Sequence, residues 1–99
     1  MNTENFGIYI RNLRENAQLP LRKLAASLDI DQSTLSKIER GERQFTSEMI
    51  PKLAETLSLD YKDLKIRFLA YRLSNDLTNE DFAIEALKET EKLLKTKKK

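Results

Sequence analysis

Between Leu19 and Gly41 the chain holds two short helical periods with almost nothing between them. Pro20 stops whatever precedes it and suits the start of a helix, where a backbone N–H would lack a partner anyway. Leu24, Ala25 and Leu28 then share one face over residues 21–28. Asp29-Ile30 leaves room only for a tight turn. Asp31 follows as an N-cap, its carboxylate near the orphan backbone N–H groups of the next helix. That helix is expected to run to about Arg40, with Leu35 and Ile38 inward. Gly41 can take the left-handed conformation that ends it.

The rest of the chain reads as helices around this pair. A first helix is expected over Phe6 to Asn16, where Phe6, Ile10 and Leu13 are spaced four and three. A fourth is expected from Ser47 or Glu48 to Leu57, with Met49, Ile50, Leu53, Ala54 and Leu57 on its apolar side. Pro51 is tolerated there because it falls near the first turn. Asp60 caps a fifth helix to about Leu73, carrying Leu64, Phe68 and Tyr71, and Ser74 to Leu77 reads as a polar break. Thr78 followed by Asp81 is similar to a capping box and predicts a sixth helix from Asn79 to about Lys95. Phe82, Ala83, Ala86, Leu87, Thr90, Leu93 and Leu94 form its stripe. There is no strand alternation and no internal repeat. The expected fold class is all-α: a core domain over residues 1–74, an additional C-terminal amphipathic helix over 75–95 and a basic tail over 96–99.

Composition narrows the function. Ninety-nine residues suit one domain, and 39% hydrophobic content is enough for a small core. Without Cys there is no disulfide or thiol chemistry, and without His the commonest general base and metal ligand are missing. There is no Gly-rich phosphate loop. The acids Asp29, Asp31, Glu39 and Glu42 are explained by caps and surface pairing without a metal. An enzyme, a cofactor, a metal and a small-molecule ligand are therefore not expected. No apolar run approaches the roughly 20 residues that cross a bilayer. The stretch MNTENFGIYI lacks the basic and apolar parts of a secretion signal, so a cytoplasmic location and no membrane contact are expected.

The net charge of +2 conceals an uneven distribution. Lys95, Lys97, Lys98 and Lys99 hold four of the 18 basic residues, so residues 1–94 carry 14 basic against 16 acidic ones. Any basic footprint must be local.

The local candidate is the outward face of the third helix. Ser33, Ser36, Lys37 and Arg40 lie there, with Gln32 at its leading edge. Two helices joined by a tight turn, the second with such a face, form a helix-turn-helix layout for double-stranded DNA. Gln can pair with adenine, Lys can donate to guanine, and Ser can donate or accept. Gln32, Ser33, Ser36 and Lys37 are the base-reading candidates. Arg22, Arg40, Arg43 and Thr46 are the phosphate candidates. Each is, taken alone, also an ordinary surface residue, and Glu39, Glu42 and Glu48 could pair the arginines. Arg14 and Glu39 sit on the flank of an apolar stripe, where a charge is costly unless paired. An ion pair between the first and third helices would explain both.

With these residues in place, the chain resembles the phage-repressor and Cro-like regulators, the xenobiotic-response-element family. The resemblance covers about residues 6–64. It rests on Ile10, Leu13-Arg14, Leu24-Ala25, Ile30, Leu35-Ser36, Ile38-Glu39, Gly41, Leu53-Ala54 and Leu57. It implies a lambda-repressor-like core of about five helices. It places Gln32, Ser33 and Lys37 at base-meeting positions, Arg14 and Glu39 in a buried pair, and Arg43 in a loop near the DNA backbone. It also implies binding to a two-fold operator as a homodimer; the expected function is a transcriptional regulator, a repressor first because a bound promoter blocks polymerase, with activation left open. Two departures stand out: Leu21 replaces a Gln that touches phosphate, and Asp29 replaces a glycine in the turn. Both predict weaker non-specific DNA binding.

The sixth helix has three readings: a cap packed on its own monomer, a dimer element, or a face covered by another protein such as a toxin. The dimer reading assigns Phe82, Ala86, Leu87, Leu93 and Leu94 to the interface. The alternative functions are an antitoxin, a restriction-modification controller, or a protein-interaction module with weak or lost DNA binding.

Overall fold

A computed structural model describes residues 5–97, and they form α-helices with one short 3-10 turn. The elements are α1 (Phe6–Asn16), α2 (Leu21–Ser27), α3 (Gln32–Glu39), the 3-10 turn Ser47–Met49, α4 (Ile50–Thr56), α5 (Tyr61–Leu77) and α6 (Ala83–Lys97). Three helices start on side-chain caps. Asn5 Oδ1 accepts from Ile8 N at 3.0 Å, Asp31 Oδ1 from Thr34 N at 2.8 Å and Asp60 Oδ2 from Asp63 N at 2.9 Å. Each bond satisfies an N–H that the helix itself cannot.

The ends of α1 to α4 share one device. Gln18, Asp29, Gly41 and Ser58 all have φ between 57° and 83°. The next residue reaches back five positions: Leu19 N to Arg14 O, Ile30 N to Ala25 O, Glu42 N to Lys37 O and Leu59 N to Ala54 O. This is the Schellman stop, which satisfies carbonyls that the helix leaves open. Leu19, Ile30 and Leu59 then pack against the core, so the same bend that ends a helix buries an apolar residue.

Phe6, Ile10, Leu24, Ala25, Leu28, Leu35, Ile38, Phe45, Ile50, Leu53, Ala54, Leu64 and Phe68 form one core drawn from α1 to α5. Phe6 is its aromatic hub, with ring centroids 5.4 Å from Phe68, 5.6 Å from Phe45 and 5.7 Å from Tyr71, all edge-on. Gly7 is required by close approach. A Cβ there would lie 2.0 Å from the Ile38 carbonyl oxygen, so α1 meets the end of α3 backbone to side chain-free backbone.

The C-terminal third differs from expectation. α5 does not stop at Leu73 but continues through Ser74–Leu77. Polar residues do not break a helix whose surface is solvated, and Ser74, Asn75 and Asp76 are all exposed. Thr78 makes no capping box. It closes α5, and its hydroxyl donates to Ser74 O at 2.7 Å. The sixth helix begins at Ala83 rather than Asn79. Phe82 is therefore not on its stripe; it sits before the helix with φ 66° and is 77% exposed. No residue of α6 is buried, so the helix does not cap its own monomer. Of the basic tail, Thr96 and Lys97 belong to α6, while Lys98 and Lys99 lie outside the described residues.

Candidate nucleic-acid interface

The inward residues of α2 and α3 set what faces outward. Leu24, Ala25 and Leu28 are buried against Leu35 and Ile38 in the core. Along α3 this leaves Gln32, Ser33 and Lys37 exposed and Ser36 half-buried on the opposite side. The turn between the helices keeps its left-handed corner although Asp29 replaces glycine, with φ 59°. The short polar side chain of Asp tolerates that region better than most. Leu21, the other departure, is half-buried on the core and lines a shallow pocket with Arg11, Arg14, Ser36, Glu39 and Arg40.

α3 is anchored at its far end by charge. Arg14 Nε donates to Glu39 Oε2 at 2.8 Å and Nη2 to Oε1 at 3.1 Å. Arg14 Nη1 also donates to Leu19 O at 2.8 Å, so one guanidinium ties α1, the bend before α2 and the end of α3. The hydrogen bond to Glu39 pushes the Arg14 pKa above its usual value, against the opposing effect of burial. Among the described residues Glu39 is the one buried charged residue, 4% exposed. A buried carboxylate is tolerable only with such a fork-to-fork partner.

On the outer face the polar groups are partly organised. Ser33 Oγ donates to Asp31 Oδ1 at 3.1 Å. The Thr34 hydroxyl and backbone N–H, then the Ser33 hydroxyl, hold Asp31 below the usual carboxylate range. Arg40 Nη1 donates to Ser36 Oγ at 2.7 Å, and its Nε donates to Glu42 Oε2 at 2.9 Å. That bond raises the Arg40 pKa and lowers that of Glu42. Ser36 and Arg40 are thus brought together, with Glu42 as a third member that sequence reading had assigned only to surface pairing. The side chains of Gln32 and Lys37 make no hydrogen bond or close ion pair among the described residues, and Lys37 acts on Asp31 and Glu42 only through its charge at longer range.

The phosphate candidates divide. Arg22 is exposed in the first turn of α2, whose N-terminus has no side-chain cap. Arg43 and Thr46 are exposed on the loop after α3, and neither has an ion pair or side-chain hydrogen bond among the described residues. Arg40 is occupied by Glu42. That pair is half-exposed, so its net strength is small and a phosphate can compete for the arginine. The loop is held by Phe45, which sequence reading missed. It is 4% exposed and packs edge-on to Phe6. A lone aromatic among polar residues was the available signal. The dimer candidates Ala86, Leu87, Leu93 and Leu94 are all exposed on α6. Among the described residues no three acids gather as a metal site, and no helix is long and apolar enough to cross a membrane.

The comparisons with known proteins agree with this layout. Residues 10–64 match the family model described as helix-turn-helix. An uncharacterized HTH-type transcriptional regulator of Mycobacterium tuberculosis is 31% identical over 61 residues, which cover 62% of this chain and 44% of that protein. The HTH-type transcriptional repressor RghR of Bacillus subtilis is 37% identical over 62 residues, covering 62% and 46%. The chain thus matches less than half the length of these relatives. No solved structure matches.

Proposed function

The chain belongs to the helix-turn-helix family, of the Cro/C1 or xenobiotic-response-element type, and on that footing we propose that it is a sequence-specific DNA-binding repressor. The observation that carries this reading is the outer face of α3. It is backed by Leu35, Ile38 and the Arg14–Glu39 pair, yet leaves the exposed side chains of Gln32 and Lys37 without a hydrogen bond or close ion pair among the described residues. In this reading α3 lies in a major groove, where Gln32, Ser33, Ser36 and Lys37 meet base edges. Arg22, Arg43 and Thr46 meet phosphates on either side, and Arg40 joins them by exchanging Glu42 for phosphate. Occupying a promoter blocks polymerase without any chemistry, which suits a chain without His or Cys.

The active form is a homodimer. Two reading helices reach successive major grooves only if a two-fold contact holds them about 34–36 Å apart. The uncovered stripe of α6, with Ala86, Leu87, Leu93 and Leu94, supplies a face for that contact. The same exposure also favours a second reading, in which another protein such as a toxin covers α6. Sedimentation of the purified chain separates the two, because only the dimer forms without a partner.

The test of DNA reading is the pair Gln32→Ala and Lys37→Ala. Both side chains are exposed, so the fold stays intact. Affinity for a selected duplex should fall about tenfold or more for each. Unchanged affinity would contradict the assignment of α3 as the reading helix.

A further inference from the structure

On the outer face of α3, two serines about one turn apart are bonded to partners of opposite chemistry. Ser33 Oγ lies 3.1 Å from Asp31 Oδ1. A carboxylate only accepts hydrogen bonds, so the single hydroxyl hydrogen of Ser33 is committed to it. Asp31 stays a carboxylate, held so by Thr34 and by Ser33 itself. What Ser33 can offer outward is a lone pair. Ser36 Oγ lies 2.7 Å from Arg40 Nη1. A guanidinium only donates, so here the serine is the acceptor. Arg40 is fixed in this pose from its other edge by Glu42, at 2.9 Å and 3.4 Å. Among the described residues the Ser36 hydroxyl donates to no other group, so its hydrogen remains for an outside acceptor.

Resting on the DNA-reading role above, we propose that Ser33 and Ser36 read base edges with opposite polarity, Ser33 as an acceptor and Ser36 as a donor. A serine is usually undiscriminating because its hydroxyl rotates to suit either partner. The neighbours of these two remove that freedom. In the major groove guanine and thymine present only acceptors, besides the thymine methyl, whereas cytosine presents only its N4 donor. Ser33 therefore selects adenine or cytosine at the base it faces and rejects guanine and thymine. Ser36 accepts guanine, adenine N7 or thymine O4 and rejects cytosine. Asp31 and Arg40 become specificity-determining residues that need not touch a base, since Arg40 Nη1 holds Ser36 whether its Nε–Nη2 edge meets Glu42 or, on DNA, a phosphate.

The test is selection of bound duplexes from a random library, followed by single-base variants of the selected site. Wild type, Ser33→Ala, Ser36→Ala and Arg40→Ala are compared, each with a thermal melt to show that it is folded. The position whose preference relaxes in Ser33→Ala should be adenine or cytosine in the wild type, preferred by roughly three- to tenfold. The position that relaxes in Ser36→Ala should disfavour cytosine by a similar factor. Arg40→Ala frees the Ser36 hydroxyl to accept again, so cytosine becomes tolerated at that position alone. Its loss of a phosphate contact weakens all sequences equally and leaves base ratios elsewhere unchanged. Guanine or thymine at the Ser33 position, cytosine at the Ser36 position, no relaxation in either serine variant, or an unchanged Ser36 position in Arg40→Ala would each overturn the inference. A library from which wild type enriches nothing overturns the DNA-reading role and this inference with it. An enriched site of the wrong polarity overturns the inference alone.

Discussion

Glu39 shows how a single residue can be indispensable to the domain without facing solvent. Its carboxylate is buried and held by the Nε–Nη2 edge of Arg14, whose Nη1 also grips the bend at Leu19. Removing one partner strands the other charge. Glu39→Ala should therefore cost about 3–5 kcal/mol in chemical denaturation. A loss under about 1 kcal/mol would mean that Arg14 finds water instead. Asp31 makes a second, pH-dependent contribution. Its pKa lies below the ordinary 3.8 in the folded chain, so its stabilisation is present above that value and is lost as pH falls through the folded one. Asp31→Asn keeps a capping oxygen but cannot titrate. The melting temperature of wild type should exceed that of the variant near neutral pH, and the gap should close under strongly acidic conditions. A gap independent of pH would contradict the charge's role. Residue-scale roles that depend on side-chain chemistry were legible: Asp31 as a cap, Gly41 as a stop, and Arg14 with Glu39 as candidates for one pair. Gln18 and Ser58 in the left-handed region were not, because hydrogen bonds to carbonyls five residues back decide their conformation, not their own preference.

Among the elements, α1 to α4 follow from apolar spacing, since each must bury one stripe against the others; α2 and α4 have no side-chain cap, and the expected first turn of α4 is the 3-10 turn Ser47–Met49. The loop after α3 was not legible, because Phe45 has no periodicity to announce that it is core. The end of α5 and the start of α6 were misplaced for a related reason. Exposed polar residues neither continue nor stop a helix on their own, and Ser74 to Leu77 simply carry α5 onward. The uncovered stripe of α6 yields a prediction at this scale. Leu87→Glu and Leu94→Glu should leave the melting temperature of the core within a few degrees, since α6 contributes nothing to it. The same variants should convert a dimer at micromolar concentration into a monomer by sedimentation. Wild type that is monomeric at every concentration would sink the dimer reading and leave a different protein as the occupant.

For the molecule as a whole, charge and architecture pull in different directions. Residues 1–94 carry more acid than base, yet the exposed faces of α3 and the following loop keep Lys37, Arg40 and Arg43. Such a molecule gains little from general attraction to DNA and depends on fit. Binding to unrelated duplexes should accordingly be weak at physiological salt, with specific binding coming from two matched half-sites. The most direct measurement is selection from a random duplex library with the full chain. A dimer presenting two copies of α3 should enrich a two-fold sequence whose half-sites lie about 10 base pairs apart, centre to centre. Failure of the folded wild-type chain to enrich any duplex would contradict the DNA-reading role.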